Sequence, residues 1–280
     1  MSSPFAGDIE FHKLLAGQTD VDLPRLMLEF AADAYPQLDE SVSLAELDRL
    51  GRLAAMDLAR LPGNSSLEPR LAAVSRLLYE AQGFHGNDEQ YYDPRNSYLN
   101  EVLTRRTGIP ISLGILYLSV AARAGLRLFG VNTPGHFVLG CRGGGELLFV
   151  DPFSSGEVLD RQGCKQRVEE VLGEQHILGD EHLRPAPPRD IVARVLRNLK
   201  AAFALENNWP GALSAQVRLA ALLPRCVDEQ RDLGLIYLRA GQPNMALPLL
   251  ELSLGCCGSE HADLLRASVR TARKLVAEMN

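Results

Sequence analysis

Residues 135–152 constrain the fold more than any other part of the chain. They contain two apolar runs, 137–141 and 147–150, on either side of a turn that holds three consecutive glycines. Apolar runs separated by such a turn are typical of a β-hairpin, and Pro152 should end the second strand because proline has no backbone N–H to donate. The sequence therefore predicts an antiparallel sheet around this hairpin.

The register of the hairpin decides which polar side chains can meet. If the turn is centred between Gly143 and Gly144, His136 lies directly opposite Asp151 and both side chains share one face of the sheet. A change of one residue in the loop would place Phe137 opposite Asp151 and separate the pair. We expect the first register, and with it a histidine–aspartate pair.

Composition narrows the class of protein. The chain has 280 residues, 46% of them hydrophobic, and a formal net charge of -6. This length favours two domains, and the acidic balance disfavours nucleic-acid binding, including direct DNA binding by a transcriptional regulator. The first residues do not resemble a signal peptide and no stretch approaches a membrane span, so we expect a cytoplasmic protein without membrane contacts.

The cysteines and histidines do not form a metal-binding pattern. The five cysteines are odd in number and none belongs to a C-x-x-C pair, which supports neither a disulfide framework nor a zinc site. His85 lies near two aspartates in a polar loop, but their spacing would not bring them together on a helix or strand. We predict no metal and no cofactor.

Residues 1–82 are predicted to form a helical N-terminal subdomain. Apolar residues recur at helical spacing in three segments, residues 22–35, 43–58 and 67–81. Asp22 is placed to cap the first segment, and Ser43 with Glu46 forms an S-x-x-E capping box at the start of the second.

Residues 83–184 are predicted to form an α+β core. A polar loop and a short helix lead to a segment that follows Gly108 and is stopped by Gly125. This segment is apolar nearly all round, as is typical of a buried helix. A strand and the hairpin follow. A buried helix packed on an antiparallel sheet is the α+β pattern, with Ser112 in the first turn of that helix.

A proline-rich stretch, residues 184–189, is the predicted boundary before a helical C-terminal domain, residues 189–280. The dipeptide Ala-Leu at residues 212–213 recurs at residues 246–247, an offset of 34 residues. This is the tetratricopeptide period, in which paired helices stack into a concave surface. Trp209, in a turn between helices, is a candidate partner-binding residue.

Three residues match the layout of papain-like and transglutaminase-like catalysis: Ser112 at a helix start, His136 beside one strand and Asp151 on the next. The helix N-terminus would stabilise an oxyanion, and the carboxylate would orient the imidazole. Tyr98 and Asn100, just upstream, are candidate oxyanion donors. Serine is a weaker nucleophile here than the ionisable thiol of cysteine, so Ser112 could instead satisfy backbone amides, and the pair could hold the hairpin in register.

Four runs of sequence resemble the SirB-type family of bacterial proteins. They are YDPRNSYLNEVL at residues 92–103, RRTGIPISL at 105–113, GVNTPGHF at 130–137 and VDPF at 150–153. The resemblance covers nearly the whole chain and implies a transglutaminase-like core with a tetratricopeptide tail. It implies that His136 and Asp151 match the histidine and aspartate of the superfamily, and that Ser112 or a neighbour stands where the superfamily has its cysteine.

Two functions follow from these observations. The first is a transglutaminase-like scaffold without classical cysteine catalysis, which binds a protein or peptide partner through its pocket and its helical repeats. The alternative is a Ser-His-Asp hydrolase or acyltransferase of unknown substrate. An enzyme needs an open pocket over Ser112 and His136, whereas a binding module does not.

Overall fold

A computed structural model describes residues 5, 7–173, 179–256 and 259–279. The chain forms two compact units, Met1–Val195 and Leu196–Asn280. The helices of the first unit are α1 (Ile9–Leu15), α2 (Leu23–Ala34), α3 (Glu40–Ala59), α4 (Leu67–Ser75), α5 (Leu99–Arg105), α6 (Pro110–Arg123) and α7 (Arg161–Leu172). Its strands are β1 (His85–Gly86), β2 (Thr107–Gly108), β3 (Leu128–Asn132), β4 (Phe137–Gly143), β5 (Glu146–Asp151) and β6 (Glu157–Leu159).

Aspartates cap the first long helices. The Asp22 side chain accepts a hydrogen bond from the backbone N–H of Arg25, as predicted. The predicted capping box at Ser43 is wrong, because Asp39 caps α3 one turn earlier and leaves Ser43 buried inside the helix. Glu46 is thereby free to bind arginine side chains instead of the helix start.

The third helical segment changes its winding halfway. Helix α4 is followed without a break by a π-helical turn, Arg76–Ala81, so the predicted helix over residues 67–81 is present but not uniform. Single π-helical turns often occur near functional sites. This turn carries Tyr79, which is buried against the loop that follows β5.

Helix α6 is buried on nearly all sides, as its sequence predicts. Pro110 occupies its first position, where a missing N–H costs little, and Gly125 follows its end with a φ of 82°. A Cβ at Gly114 would lie 2.7 Å from the ring of Phe137, so glycine lets the helix pack closely on β4.

The main sheet is antiparallel, in the order β3-β4-β5-β6, and the hairpin register differs from the predicted one. Gly143 pairs with Glu146, so the two turn residues are Gly144 and Gly145, both with positive φ. Such a two-glycine turn suits the twist of a hairpin. Moving the centre by one residue shifts each pairing by two, which preserves the face on which every side chain lies.

The two faces of this sheet carry different layers. Phe137 and Leu139 point toward α6, whereas Val138 and Phe149 belong to a buried cluster with α7 and β6. Because side chains alternate along a strand, Asp151 lies on the same face as Phe149. The α7 layer was not predicted from the sequence.

The second unit is helical. Helix α8 (Pro188–Leu205) begins in the proline-rich stretch and continues past the division between the units, and it is followed by α9 (Trp209–Leu222), α10 (Val227–Arg239), α11 (Pro243–Cys256) and α12 (Ser259–Met279). Helices α9 and α11 begin and end at the same offset as the sequence repeat. The domain limits at residues 82 and 189 stay predictions. In the described ranges, no helix has the length and apolarity needed to cross a membrane.

Candidate functional site

His136 is held by the turn that leads into β4. The Thr133 hydroxyl donates to the carbonyl oxygen of His136 over 2.6 Å, and the His136 N–H donates to the Thr133 carbonyl over 3.3 Å. Gly135 allows the tight turn because its φ is 68°. The sequence thus places the imidazole just before the interior strand β4, where only 5% of the side chain is exposed.

Asp151 ends β5 and caps the turn that follows. Its Oδ1 accepts from the N–H groups of Phe153 and Ser154 at 2.9 and 3.2 Å, and its Oδ2 accepts from the Ser154 hydroxyl at 3.0 Å. Pro152 ends the ladder and starts this turn. The carboxylate is fully buried.

The structure brings His136 and Asp151 together, although not as direct partners across the ladder. His136 Nε2 lies 3.0 Å from Asp151 Oδ1, but the ring N–H is not aligned on the carboxylate. In the observed register, Leu139 pairs with Val150, so Val138 is the residue opposite Asp151. His136 lies two residues before Val138 and is therefore the diagonal neighbour of Asp151 on the same face of the sheet. The predicted pair therefore forms in a register two residues away from the predicted one.

Burial alone would raise the pKa of Asp151. The nearby His136 and the donors in the following turn outweigh burial and lower this pKa to about 2. The aspartate is therefore charged at neutral pH, and its negative charge lies beside the imidazole.

Arg167 of α7 is a site residue that the sequence did not suggest. Its Nη1 lies 2.7 Å from Asp151 Oδ2, and its Nη2 lies 2.7 Å from Glu157 on β6. The sequence does contain a signal for a helix here: Asp160 can cap its start, and Cys164 and Val168 lie on one buried face. That pattern predicts α7 but not the partner of Arg167, because the contact depends on how α7 packs across the sheet.

Ser112 makes its hydrogen bonds to backbone groups of Ile109, just before α6, and of Asn96 in the preceding loop. Its hydroxyl donates to the carbonyl oxygen of Asn96 over 2.6 Å and accepts from the Ile109 N–H over 3.1 Å, while the Ile109 carbonyl lies 3.1 Å away as an alternative acceptor. The side chain is fully buried. No hydrogen bond among the described residues joins Ser112 to His136, and these contacts favour the structural role.

Asn96 explains why the loop at residues 87–97 is ordered around Ser112. Its side-chain amide donates to the carbonyls of Gln90 and Tyr91, and its Oδ1 accepts from Asn87. Its backbone carbonyl oxygen accepts the hydrogen bond from the Ser112 hydroxyl. The loop is thereby fixed to the buried helix, a role that sequence reasoning did not assign.

The two oxyanion candidates, Tyr98 and Asn100, lie at the start of α5. Tyr98 is buried, and its ring contacts Tyr35 edge-on at 5.6 Å. Asn100 Oδ1 is buried and has no hydrogen-bond partner among the described residues. Asn100 lines a groove of about 940 Å³ with residues of α3 and α5, and this lining does not include Ser112, His136 or Asp151.

Two buried cysteines, Cys164 on α7 and Cys141 on β4, are poor nucleophiles. Burial, helped by the negative charge of Asp151, raises the pKa of the Cys164 thiol to about 12. Burial also raises the pKa of Cys141, whose thiol donates to the Arg127 carbonyl at 3.4 Å. A buried thiol with a raised pKa supplies little thiolate at neutral pH.

In the second unit, Trp209 starts α9 and is partly exposed. The guanidinium of Arg239 lies 5.6 Å from its ring centroid, a cation–π contact. Across the ranges that the structure describes, no group of three or more His, Cys, Asp or Glu side chains could hold a metal ion.

Comparisons with known proteins identify a superfamily and several relatives of this chain. The transglutaminase-like superfamily matches residues 43–197, which include Ser112, His136, Asp151 and Arg167. The chain is 38% identical over 261 residues to a UPF0162 protein of Xylella fastidiosa, covering 90% of this chain and 91% of that protein. It is 30% identical to a UPF0162 protein of Vibrio cholerae, covering 77% of this chain and 83% of that protein.

A shorter match lies in a mammalian protein. The chain is 40% identical over 115 residues to F-box only protein 21 of Mus musculus, covering 38% of this chain and 18% of that protein. No solved structure shows a significant match. With more than half of its length matched by the family and the histidine and aspartate side by side, the chain belongs to the transglutaminase-like superfamily.

Proposed function

We propose that this protein is a transglutaminase-like scaffold that binds a protein or peptide partner beside the His136–Asp151 pair, without classical cysteine catalysis. The observation that carries the proposal is the Ser112 hydroxyl, which donates to the Asn96 carbonyl over 2.6 Å in a fully buried position. A nucleophile needs a free approach to its substrate and a base within reach, and this hydroxyl is used by the backbone.

The closed state of the pair also supports binding over catalysis. The side chains of His136 and Asp151 are 5% and 0% exposed, so a substrate carbonyl would need a rearrangement to reach the imidazole. Asp151 is further engaged by Arg167 and by the turn at residues 153–154. A fully bonded aspartate stabilises local structure, which a rigid recognition surface requires.

The proposal includes the finer assignments. We place the chain in the SirB-type family, in the cytoplasm and without nucleic-acid partners, and we interpret the helices of the second unit as tetratricopeptide-like repeats. The support for repeats is that α9 and α11 are both 14 residues long. Asn207 and Gly241, at the same 34-residue offset, both have positive φ in the preceding turns. Such repeats commonly bind peptides, and the partly exposed Trp209 is the candidate anchor.

Peptide selection followed by photo-crosslinking tests this proposal. A random peptide library is selected on the full chain, and the enriched peptides are mixed with protein that carries p-benzoylphenylalanine at Tyr92. This residue is 58% exposed and contacts Tyr91, whose ring lies 6.1 Å from Phe153. The matched control carries the same amino acid at Met56 of α3, which is 55% exposed.

We expect crosslinks from position 92 and few from position 56. Enrichment of no peptide, or equal crosslinking from both positions, contradicts binding beside the pair. Trp209→Ala, tested in parallel, should weaken any peptide that also contacts the repeats. The hydrolase or acyltransferase alternative requires covalent labelling of Ser112, whose hydrogen bonds to described residues go to Asn96 and Ile109 and not to His136.

A further inference from the structure

Arg194 of α8 is a half-buried cation close to His136. Its Nη1 donates to the Asn132 side-chain oxygen over 2.5 Å and to the Thr133 carbonyl oxygen over 2.7 Å. The Thr133 carbonyl also accepts from the His136 N–H. One backbone oxygen therefore links the guanidinium directly to the turn that holds the histidine.

Arg194 differs from the other partly buried arginines of its unit in having no acidic partner among the described residues. In the described part of Met1–Val195, four further arginines are not fully exposed, and each of them lies within salt-bridge distance of a carboxylate: Arg49, Arg105, Arg106 and Arg167. The hydrogen bonds that Arg194 makes to described residues go to two neutral oxygens, one on Asn132 and one on Thr133. Burial accordingly lowers its pKa, offset in part by Tyr91.

An incompletely solvated guanidinium without a counter-ion is costly, and a bound anion would relieve that cost. One nitrogen of Arg194 is used to clamp the turn at residues 132–133. Its Nε and Nη2 make no hydrogen bond to a described residue, and the side chain keeps some exposed surface. This leaves one edge of a planar fork that matches the geometry of a carboxylate.

Aromatic residues link Arg194 to the turn that follows Asp151. Tyr91 interacts electrostatically with Arg194, and its ring lies 6.1 Å from Phe153 and 5.2 Å from Tyr92. Tyr92 is largely exposed. A cation flanked by partly exposed rings suits a peptide carboxylate with adjacent apolar atoms.

We propose that Arg194 and Tyr91 form a carboxylate-binding subsite beside His136, which recognises an acidic group of the bound peptide. This inference rests on the proposed peptide-binding function and specifies its ligand chemistry. The carboxylate could belong to an acidic side chain or to the peptide C-terminus, and the experiment separates these sources.

Three capped amino acids that differ little in shape serve as probes. N-acetyl-glutamate α-amide carries a side-chain carboxylate, N-acetyl-glutamine carries a terminal carboxylate, and N-acetyl-glutamine α-amide carries no charge. Each is titrated into the full chain while the His136 ring and the Arg194 Nε–H are followed by NMR. We expect saturable shifts with at least one acid and affinity about tenfold weaker for the neutral compound.

Variants then locate the effect. Arg194→Gln should reduce the affinity for the preferred acid about tenfold, and Arg194→Lys should give an intermediate loss because it keeps the charge but not the fork. Arg184→Gln, at an exposed arginine of the same unit, is the matched control and should not change affinity. The same spectra report whether each variant is folded.

Two results would overturn the inference. Equal affinity of the wild-type chain for the acids and the neutral compound excludes carboxylate recognition, whether or not the variants fold. Absence of shifts with all three compounds also excludes it. In both cases the proposed function survives if the selected library peptides still crosslink from position 92, and it fails with them if they do not.

Discussion

Asp151 joins two basic side chains through separate oxygens. Its Oδ1 lies 3.0 Å from His136 Nε2, and its Oδ2 lies 2.7 Å from Arg167 Nη1. The three residues come from the turn before β4, the end of β5 and the middle of α7. The carboxylate is thus the point at which the hairpin is attached to the helix layer on one face of the sheet.

Removing the charge of Asp151 should therefore destabilise the first unit. We expect Asp151→Asn to lower the free energy of unfolding by about 3–5 kcal/mol, because Arg167 and the turn lose a buried anion. Urea denaturation at neutral pH measures this loss. Glu157→Gln removes the exposed partner of Arg167 and should cost less than about 1 kcal/mol. Equal losses in the two variants would contradict this role of Asp151.

The same group predicts a pH dependence. The pKa of Asp151 is about 2 in the folded chain, below its ordinary value of 3.8, so the unfolded chain binds the proton more readily. The stability that this group contributes is present above about pH 4 and is lost as the pH falls toward 2. We expect the difference in unfolding free energy between wild type and Asp151→Asn to shrink by about 2 kcal/mol over this window. A difference that stays constant from pH 5 to about pH 2 would show that the carboxylate is not selectively stabilised in the folded chain.

Ser112→Ala should reveal a structural hydroxyl. The Asn96 carbonyl would lose its donor in a buried position, which should cost about 1–3 kcal/mol and increase hydrogen exchange in residues 87–97. Ser119→Ala, in the same helix, removes a hydroxyl that contacts the exposed Arg123 and should have a smaller effect. Unchanged stability and exchange after Ser112→Ala would argue that the hydroxyl is not needed for the loop.

Glycine at position 156 should be required by both its backbone and its surroundings. Its φ is 71°, and a Cβ there would lie 2.5 Å from Ser75 Oγ and 2.5 Å from the Tyr79 ring. Gly145 has a φ of 84° with open space around the Cβ position. We expect Gly145→Ala to cost about 1–2 kcal/mol through backbone strain alone and Gly156→Ala clearly more. Thermal unfolding of both variants measures the difference, and similar values would show that the packing around Gly156 yields easily.

The sequence predicted the elements better than their packing. Period-3.6 and hairpin patterns located the buried helix, the two strands and the His136–Asp151 pair, because these signals are local. The predicted pair is present although the predicted register was wrong, because a shift of two residues keeps both side chains on one face. A shift of one residue would have separated them.

The remaining features depend on contacts between distant segments. The start of α3 was wrong because Asp39 and Ser43 are both plausible caps and tertiary packing selects between them. Arg167 and Arg194 were missed because nothing in a helical arginine indicates which side of a sheet it will meet. The acceptor of the Ser112 hydroxyl, the Asn96 carbonyl, is 16 residues away in sequence and carries no side-chain signal.

Labelling of Ser112 by a fluorophosphonate tests the central claim most directly. The intact chain is treated beside a known serine hydrolase as positive control, and peptides containing residue 112 are analysed by mass spectrometry. We predict no adduct on Ser112, because its hydroxyl is buried and bonded to the Asn96 carbonyl. An adduct on Ser112 that disappears in His136→Ala would contradict the scaffold function and establish a serine nucleophile assisted by His136.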